Sequence, residues 1–258
     1  MRTEVHFHLL PGVDDGPAAV QESVALARMA VADGTATVVA TPHARLVDVR
    51  AVPDHVRALR ARLAVDRVPL RVLPGLEIAQ DDVARLTDAE LEIAAQGPPG
   101  RRWVLLEAPI SADPSPFPDA ARELMARGYG VLIGHPERCR GLMTATGMLD
   151  ELLAAGARLQ LNGSSLTGRH GDDARSWALE LALSGRAEAV ASDAHGAERG
   201  PVLGASVAAL TRAGMSTVAA ERLVSSRPRN LLQVGLPPTR ASGRDRRPWR
   251  PRRPFMIR

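Results

Sequence analysis

Apolar positions along this chain fall into short runs rich in β-branched residues, separated by longer stretches with helical spacing, and the alternation repeats seven times. The first run, Glu4-Val5-His6-Phe7-His8-Leu9-Leu10, has the two-residue period of a strand, which puts His6 and His8 on one face. Pro11-Gly12 ends it, and Asp14 and Asp15 follow on a turn that Gly16 closes. Residues 17–33 then carry Val20, Val24, Leu26, Ala27, Ala30 and Val31 at helical spacing, stopping at Asp33-Gly34.

The same reading predicts strands over 35–41, 70–73, 103–106, 129–133, 158–161 and 187–191. Helices are predicted over 52–65, 81–94, 118–128, 144–155, 171–184, 201–213 and 216–225, and the fold closes near Leu232. Alternating strands and helices of these lengths give a parallel sheet, open or closed into a barrel. Residues 1–236 read as one domain. Residues 237–258, rich in Pro and Arg, cannot bury a core and are expected to be disordered.

Polar residues of one chemical kind recur where the predicted strands end. His6, His8, His43, Glu77, Glu107, His135, Asp193 and His195 lie in or directly after strands, with Asp14 a few residues past the first. In a parallel barrel all strand C-termini open onto one face, so these groups converge although they are distant in sequence. Five of the seven histidines belong to the set; His55 and His170 are assigned to solvent or the rim, and Asp15 to capping the first helix. Nitrogen and oxygen donors without thiolate suit Mn, Zn or Fe. Nine donors are too many for one ion, so two or three are expected. Clustered divalent ions serve phosphate-ester hydrolysis by making hydroxide available near neutral pH. Arg138 and Arg199, beside His135 and His195, are placed to grip a phosphate in bidentate fashion.

Composition removes competing chemistries. The chain has no lysine, which excludes Schiff-base and P-loop mechanisms. Its one cysteine, Cys139, is followed six positions later by Ala145 where a cysteine-dependent phosphatase needs Arg. Ser164 and Ser165 lack a nucleophile-elbow setting. The net charge of +4 is misleading: residues 237–258 hold eight arginines against Asp245, a net +7, which leaves −3 for the body. Such a tail suits an anionic surface, and a nucleic-acid or membrane-surface role for it is the alternative outside enzymology. A single cysteine, no leader-like N-terminus and no apolar stretch of membrane length give a cytoplasmic expectation.

The segments HFHLLPGVDDG (6–16), TPH (41–43), PGLEI (74–78), LLEAP (105–109), GHPER (134–138) and SDAHG (192–196) together resemble the PHP superfamily. Within it the order and spacing are similar to the manganese-dependent protein-tyrosine phosphatases of bacterial capsule and exopolysaccharide loci, over about residues 4–235. The resemblance implies a distorted seven-stranded β/α barrel with a trinuclear metal site, manganese first and zinc or iron as alternatives. It implies His6, His8, Glu77 and Asp193 at one metal, Glu77, Glu107 and His135 at a second, and Asp14, His43 and His195 at the third, with Arg138 and Arg199 on phosphate. The implied substrate is a tyrosine-phosphorylated kinase of polysaccharide synthesis, with a small phosphomonoester such as histidinol phosphate or a sugar phosphate as the alternative. Glu4 stands where the family has Asp, Ala44-Arg45-Leu46-Val47 replaces a His- and Tyr/Asn-containing loop, and Cys139 occupies a polar or aromatic position.

Overall fold

The structure, a computed structural model, describes residues 1–110, 113–145 and 147–237. The expected disorder of the tail therefore lies outside the described residues, apart from Pro237. Eight strands are present: β1 (Arg2–Phe7), β2 (Thr35–Ala40), β3 (Arg71–Pro74), β4 (Glu77–Ile78), β5 (Trp103–Glu107), β6 (Gly130–Gly134), β7 (Arg158–Asn162) and β8 (Ala187–Ala191). They form a three-stranded sheet, β1-β2-β3, and a five-stranded sheet, β4-β5-β6-β7-β8, with every pair parallel. The seven strands of the sequence reading become eight because the run after Leu70 breaks at Gly75-Leu76. Val39 Cγ1 lies 2.6 Å from where a Gly75 Cβ would be, so only glycine lets the chain pass there before β4 begins in the other sheet.

Two backbone seams join the sheets. Between β1 and β8, Asp193 N donates to His6 O (3.1 Å) and His8 N to Ala194 O (2.9 Å). At the other seam, Glu77 N donates to Pro42 O (3.1 Å) and Ala44 N to Glu77 O (2.9 Å). Both are stitched at the strand ends that carry the conspicuous His, Asp and Glu residues.

The helices are α1 (Val20–Ala32), α2 (Val52–Val65), α3 (Asp88–Ala94), α4 (Phe117–Ala126), α5 (Arg140–Thr144), α6 (Met148–Ala154), α7 (Gly163–Leu166), α8 (Asp172–Leu183), α9 (Leu203–Arg212), α10 (Thr217–Val224) and α11 (Ser226–Val234). Two expected helices are shorter or divided. In 81–94 only α3 forms, because Thr87 and Glu90 make a reciprocal capping box that starts the helix late. In 144–155 the left-handed backbone of Gly147 (φ 100°) separates α5 from α6.

Alternation along the strands divides the apolar interior. On β5, Val104 and Leu106 join the large cluster that the surrounding helices cover. Trp103 and Leu105 instead join a smaller cluster with Val5, Leu132, Ala189, Ala191 and Leu231. Helix α11, beyond the predicted elements, contributes Leu231, whose carbonyl accepts from Trp103 Nε1 at 2.7 Å. Beside this smaller cluster, a Cβ at Gly134 would have Leu105 Cδ1 at 3.3 Å, Gln160 Oε1 at 3.5 Å and His6 Nδ1 at 3.6 Å around it. The polar strand ends thus rest directly on an apolar floor.

Candidate metal centre

Strand direction and two unusual backbone positions bring the candidate residues together. Parallel strands put His6 (β1), His8 (after β1), His43 (after β2), Glu77 (β4), Glu107 (β5), His135 (after β6) and Asp193 and His195 (after β8) at one end. His135 (φ 35°) and Asp193 (φ 50°) are two of only three non-glycine residues with positive φ among the described residues. Such conformations persist where surrounding contacts over-determine them, and here they turn one imidazole and one carboxylate inward.

Glu77, 1% exposed, is the hub. Its Oε1 lies 3.1 Å from His6 Nε2 and 3.1 Å from His135 Nε2. Its Oε2 lies 3.2 Å from His8 Nε2 and 3.0 Å from His43 Nδ1. Asp193 Oδ1 completes the cluster, 3.3 Å from His6 Nε2 and 3.5 Å from His8 Nε2. Four overlapping groups of donors result: His6, His8 and Asp193; His6, Glu77 and His135; His43, Glu77 and Glu107; and His8, Asp15, His43 and His195.

These groups overlap the expected sets without reproducing them, and Glu107 and the Asp14-Asp15 turn stand furthest from expectation. Glu107 lies with His43 (4.0 Å) rather than with His135, and its Oε2 also meets Arg45 Nη1 at 3.3 Å. Asp14 belongs to none of the groups. Its Oδ2 accepts from His8 Nδ1 (2.6 Å) and His43 N (3.2 Å), and its Oδ1 accepts from Gly16 N (3.0 Å), so its carboxylate is already occupied in fixing His8 and the turn. Asp15, read as a cap, instead lies 3.2 Å from His195 Nε2 and 3.4 Å from His43 Nε2, while α1 begins only at Val20 without a side-chain cap.

Supporting side chains fix the imidazoles. His6 Nδ1 donates to Gln160 Oε1 (2.9 Å) and His195 Nδ1 to the Asp193 carbonyl (2.9 Å), leaving each Nε2 directed into the cluster. Asp193 Oδ2 accepts from Asn162 Nδ2 (2.9 Å), Arg138 Nη1 (3.2 Å) and Arg199 Nη2 (3.3 Å). The two arginines predicted from sequence therefore meet at one oxygen of a buried carboxylate. Gln160 and Asn162 were not among the predicted residues; they alternate with Leu159 and Leu161 along β7, and two uncharged amides two apart at a strand's C-terminal end are the signal that could have found them.

The electrostatics suit displaceable protons. Burial alone would push His6 down, but Glu77 and Asp193 outweigh it and raise its pKa to about 9. Burial acts likewise on His8, where the adjoining carboxylates of Asp14 and Glu77 raise it to about 10. Burial would raise Glu77, yet the charge of His6 and bonds from the imidazoles hold it well below the carboxylate range. His195 goes the other way, to about 4, through burial and the charge of His8. Cys139 is fully buried and its thiol is pushed up by burial, so it offers no nucleophile.

A divalent cation fits this donor set. His43 Nδ1, Glu77 Oε2 and His135 Nδ1 are buried without a hydrogen-bond partner, and the first two lie 3.0 Å apart without hydrogen-bond alignment. All donors are nitrogen or carboxylate oxygen, as hard and borderline ions prefer.

Comparison with known proteins agrees with this picture. Residues 2–233 match the family described as capsular polysaccharide synthesis, CpsB/CapC. The tyrosine-protein phosphatase YwqE of Bacillus subtilis is 32% identical over 201 residues, 74% of this chain and 76% of its own. CapC of Staphylococcus aureus is 30% identical over 206 residues, 78% of this chain and 79% of its own. Among solved structures, a study of YwqE from Bacillus subtilis and CpsB from Streptococcus pneumoniae, described as metal-dependent tyrosine phosphatases, superposes with a TM-score of 0.78 at 28% identity. That match covers 94% of this chain and all of the other.

Proposed function

The chain belongs to the capsular polysaccharide synthesis CpsB/CapC family, and on that premise we propose that it is a metal-dependent protein-tyrosine phosphatase. The observation that carries this reading is the Glu77 hub, one buried carboxylate facing four imidazoles with donors left unpartnered. His6, His8, Asp15, His43, Glu77, Glu107, His135, Asp193 and His195 would hold two or three divalent ions, manganese first. When bound there, such ions would supply Lewis acidity toward a phosphoryl oxygen and a water that ionises near neutral pH. Gln160 and Asp14 fix which nitrogen His6 and His8 present. Arg138 and Arg199, poised at Asp193, bind the phosphoryl oxygens and orient the ester for in-line displacement. Tyrosine, with a phenol pKa of about 10, departs more readily than an alkoxide.

The physiological substrate in this reading is a tyrosine-phosphorylated protein of polysaccharide synthesis, in the cytoplasm. The family match over 2–233 supports residues 1–236 as one domain, and the two bonded seams support a distorted barrel. Among the described residues no helix is long and apolar enough to cross a membrane. Phosphate release from a phosphotyrosine peptide, a phosphoserine peptide, histidinol phosphate and a sugar phosphate tests the substrate. A kcat/KM at least tenfold higher for phosphotyrosine is expected; equal or better turnover of a small phosphomonoester would replace this reading with a small-molecule phosphoesterase.

A further inference from the structure

Next to the metal centre lies a cleft of about 580 Å³ that the cluster itself does not use. Arg138 is common to both: its Nη1 reaches Asp193 on one side, while its side chain lines the cleft on the other. Ile110, Met143 and Ala174 give the cleft apolar wall, and His170 adds a flat ring. His170 is half-buried and held from behind, its Nδ1 2.9 Å from the hydroxyl of Ser165, which is itself fully buried. Burial and the neighbouring Arg138 charge lower its pKa to about 4, so at neutral pH it presents an uncharged imidazole. At the mouth, Arg140 pairs with Asp173 at 3.4 Å, both exposed.

Because Arg138 both reaches Asp193 and lines this cleft, a phosphoryl group held by its guanidinium would have the cleft beside it for the ester substituent. The volume is that of a small-ligand pocket, several times a phenyl ring, and leaves room for residues flanking it. Thioether and imidazole both pack well against an aromatic ring. A sugar or short polyol would leave the Ile110, Met143 and Ala174 wall unfilled.

We propose that this cleft receives the aryl ring and adjoining peptide of a phosphotyrosyl protein, with His170 and Met143 as specificity-determining residues. The inference rests on the phosphatase reading above. It assigns a role to His170, which the metal centre leaves unused, and makes the site's preference for aryl esters a property of a wall separate from the metal ligands.

The test compares the KM for a phosphotyrosine peptide with competitive inhibition by inorganic phosphate, which fills only the metal and arginine side. His170→Ala removes the ring, and Met143→Trp narrows the cleft without adding charge. Each is expected to raise the peptide KM about tenfold or more, with kcat little changed and the phosphate inhibition constant within twofold of the parent. Peptide KM values unchanged in both variants would overturn the proposal. So would phosphate inhibition that weakens in parallel with KM, because the residues would then be supporting the whole site. A parent enzyme that releases no phosphate from the peptide would instead overturn the phosphatase reading, and this assignment with it, from the unsubstituted chain alone.

Discussion

Glu77 organises the centre because a carboxylate with two imidazoles at each oxygen can be shared between ions, whereas each histidine offers one nitrogen inward. That geometry makes the supporting residues measurable. Gln160→Leu removes the acceptor at His6 Nδ1 and is expected to weaken metal binding about 10- to 100-fold, read by metal titration with the fold intact by circular dichroism. Unchanged affinity would show that His6 is held by packing alone. Protons give a second readout. Without metal, His6 and His8 are protonated up to about pH 9 and 10, so an incoming cation displaces protons at neutral pH, and apparent affinity is expected to rise as pH rises toward those values. Calorimetry in buffers of different ionisation enthalpy measures the release; a cation that binds at pH 7 with no proton released would contradict it. Most of the cluster was legible in the sequence because His, Asp and Glu at successive strand ends are chemically conspicuous. The different placements of Asp14 and Asp15 were not, since adjacent acids on a turn are equivalent until the backbone directs one to His8 and the other to His43 and His195.

At the scale of elements, period and punctuation located seven of the eight strands and most helices, and the misses share a cause. Strand β4 is two residues long and has no periodicity to read; its identity comes from pairing with β5. The capping box at Thr87 and the left-handed Gly147 override the helical spacing around them. The one-turn helix α7 is set by Asn162, whose Oδ1 accepts from Ser164 N at 2.8 Å while its Nδ2 holds Asp193. Gly163 opens that turn against α9, and an added Cβ would meet Ser206 Oγ and, at 2.8 Å, Val202 Cγ2. Gly163→Ala is therefore expected to destabilise the protein by about 1–3 kcal/mol, the ordinary cost of overpacking. A lowered denaturation midpoint with unchanged m-value would show it; an unchanged midpoint would mean that α9 yields freely.

For the whole molecule, the pattern of alternating units foretold a parallel α/β fold, and the positions of the His, Asp and Glu residues foretold at which end the donors would cluster. Pairing across the two sheets was hidden, because the seams run through Pro42, Ala44, Glu77, His6, Asp193 and Ala194, residues outside regular strand or at its ends. The consequence is that His6, His8, Glu77 and Asp193 serve twice, their backbones joining the sheets and their side chains forming the centre. The measurement that bears most directly on the central claim uses metal-stripped protein resupplied with Mn, Zn, Fe, Co or Mg. Bound metal and phosphate release are read on the same samples, for the parent chain and for Glu77→Gln. The expected result is activity that returns with two or more ions per chain in the parent, and a folded Glu77→Gln that loses both bound metal and at least about 100-fold in rate. A metal-free chain that hydrolyses phosphotyrosine at the full rate, or a Glu77→Gln variant that keeps metal and activity, would contradict it.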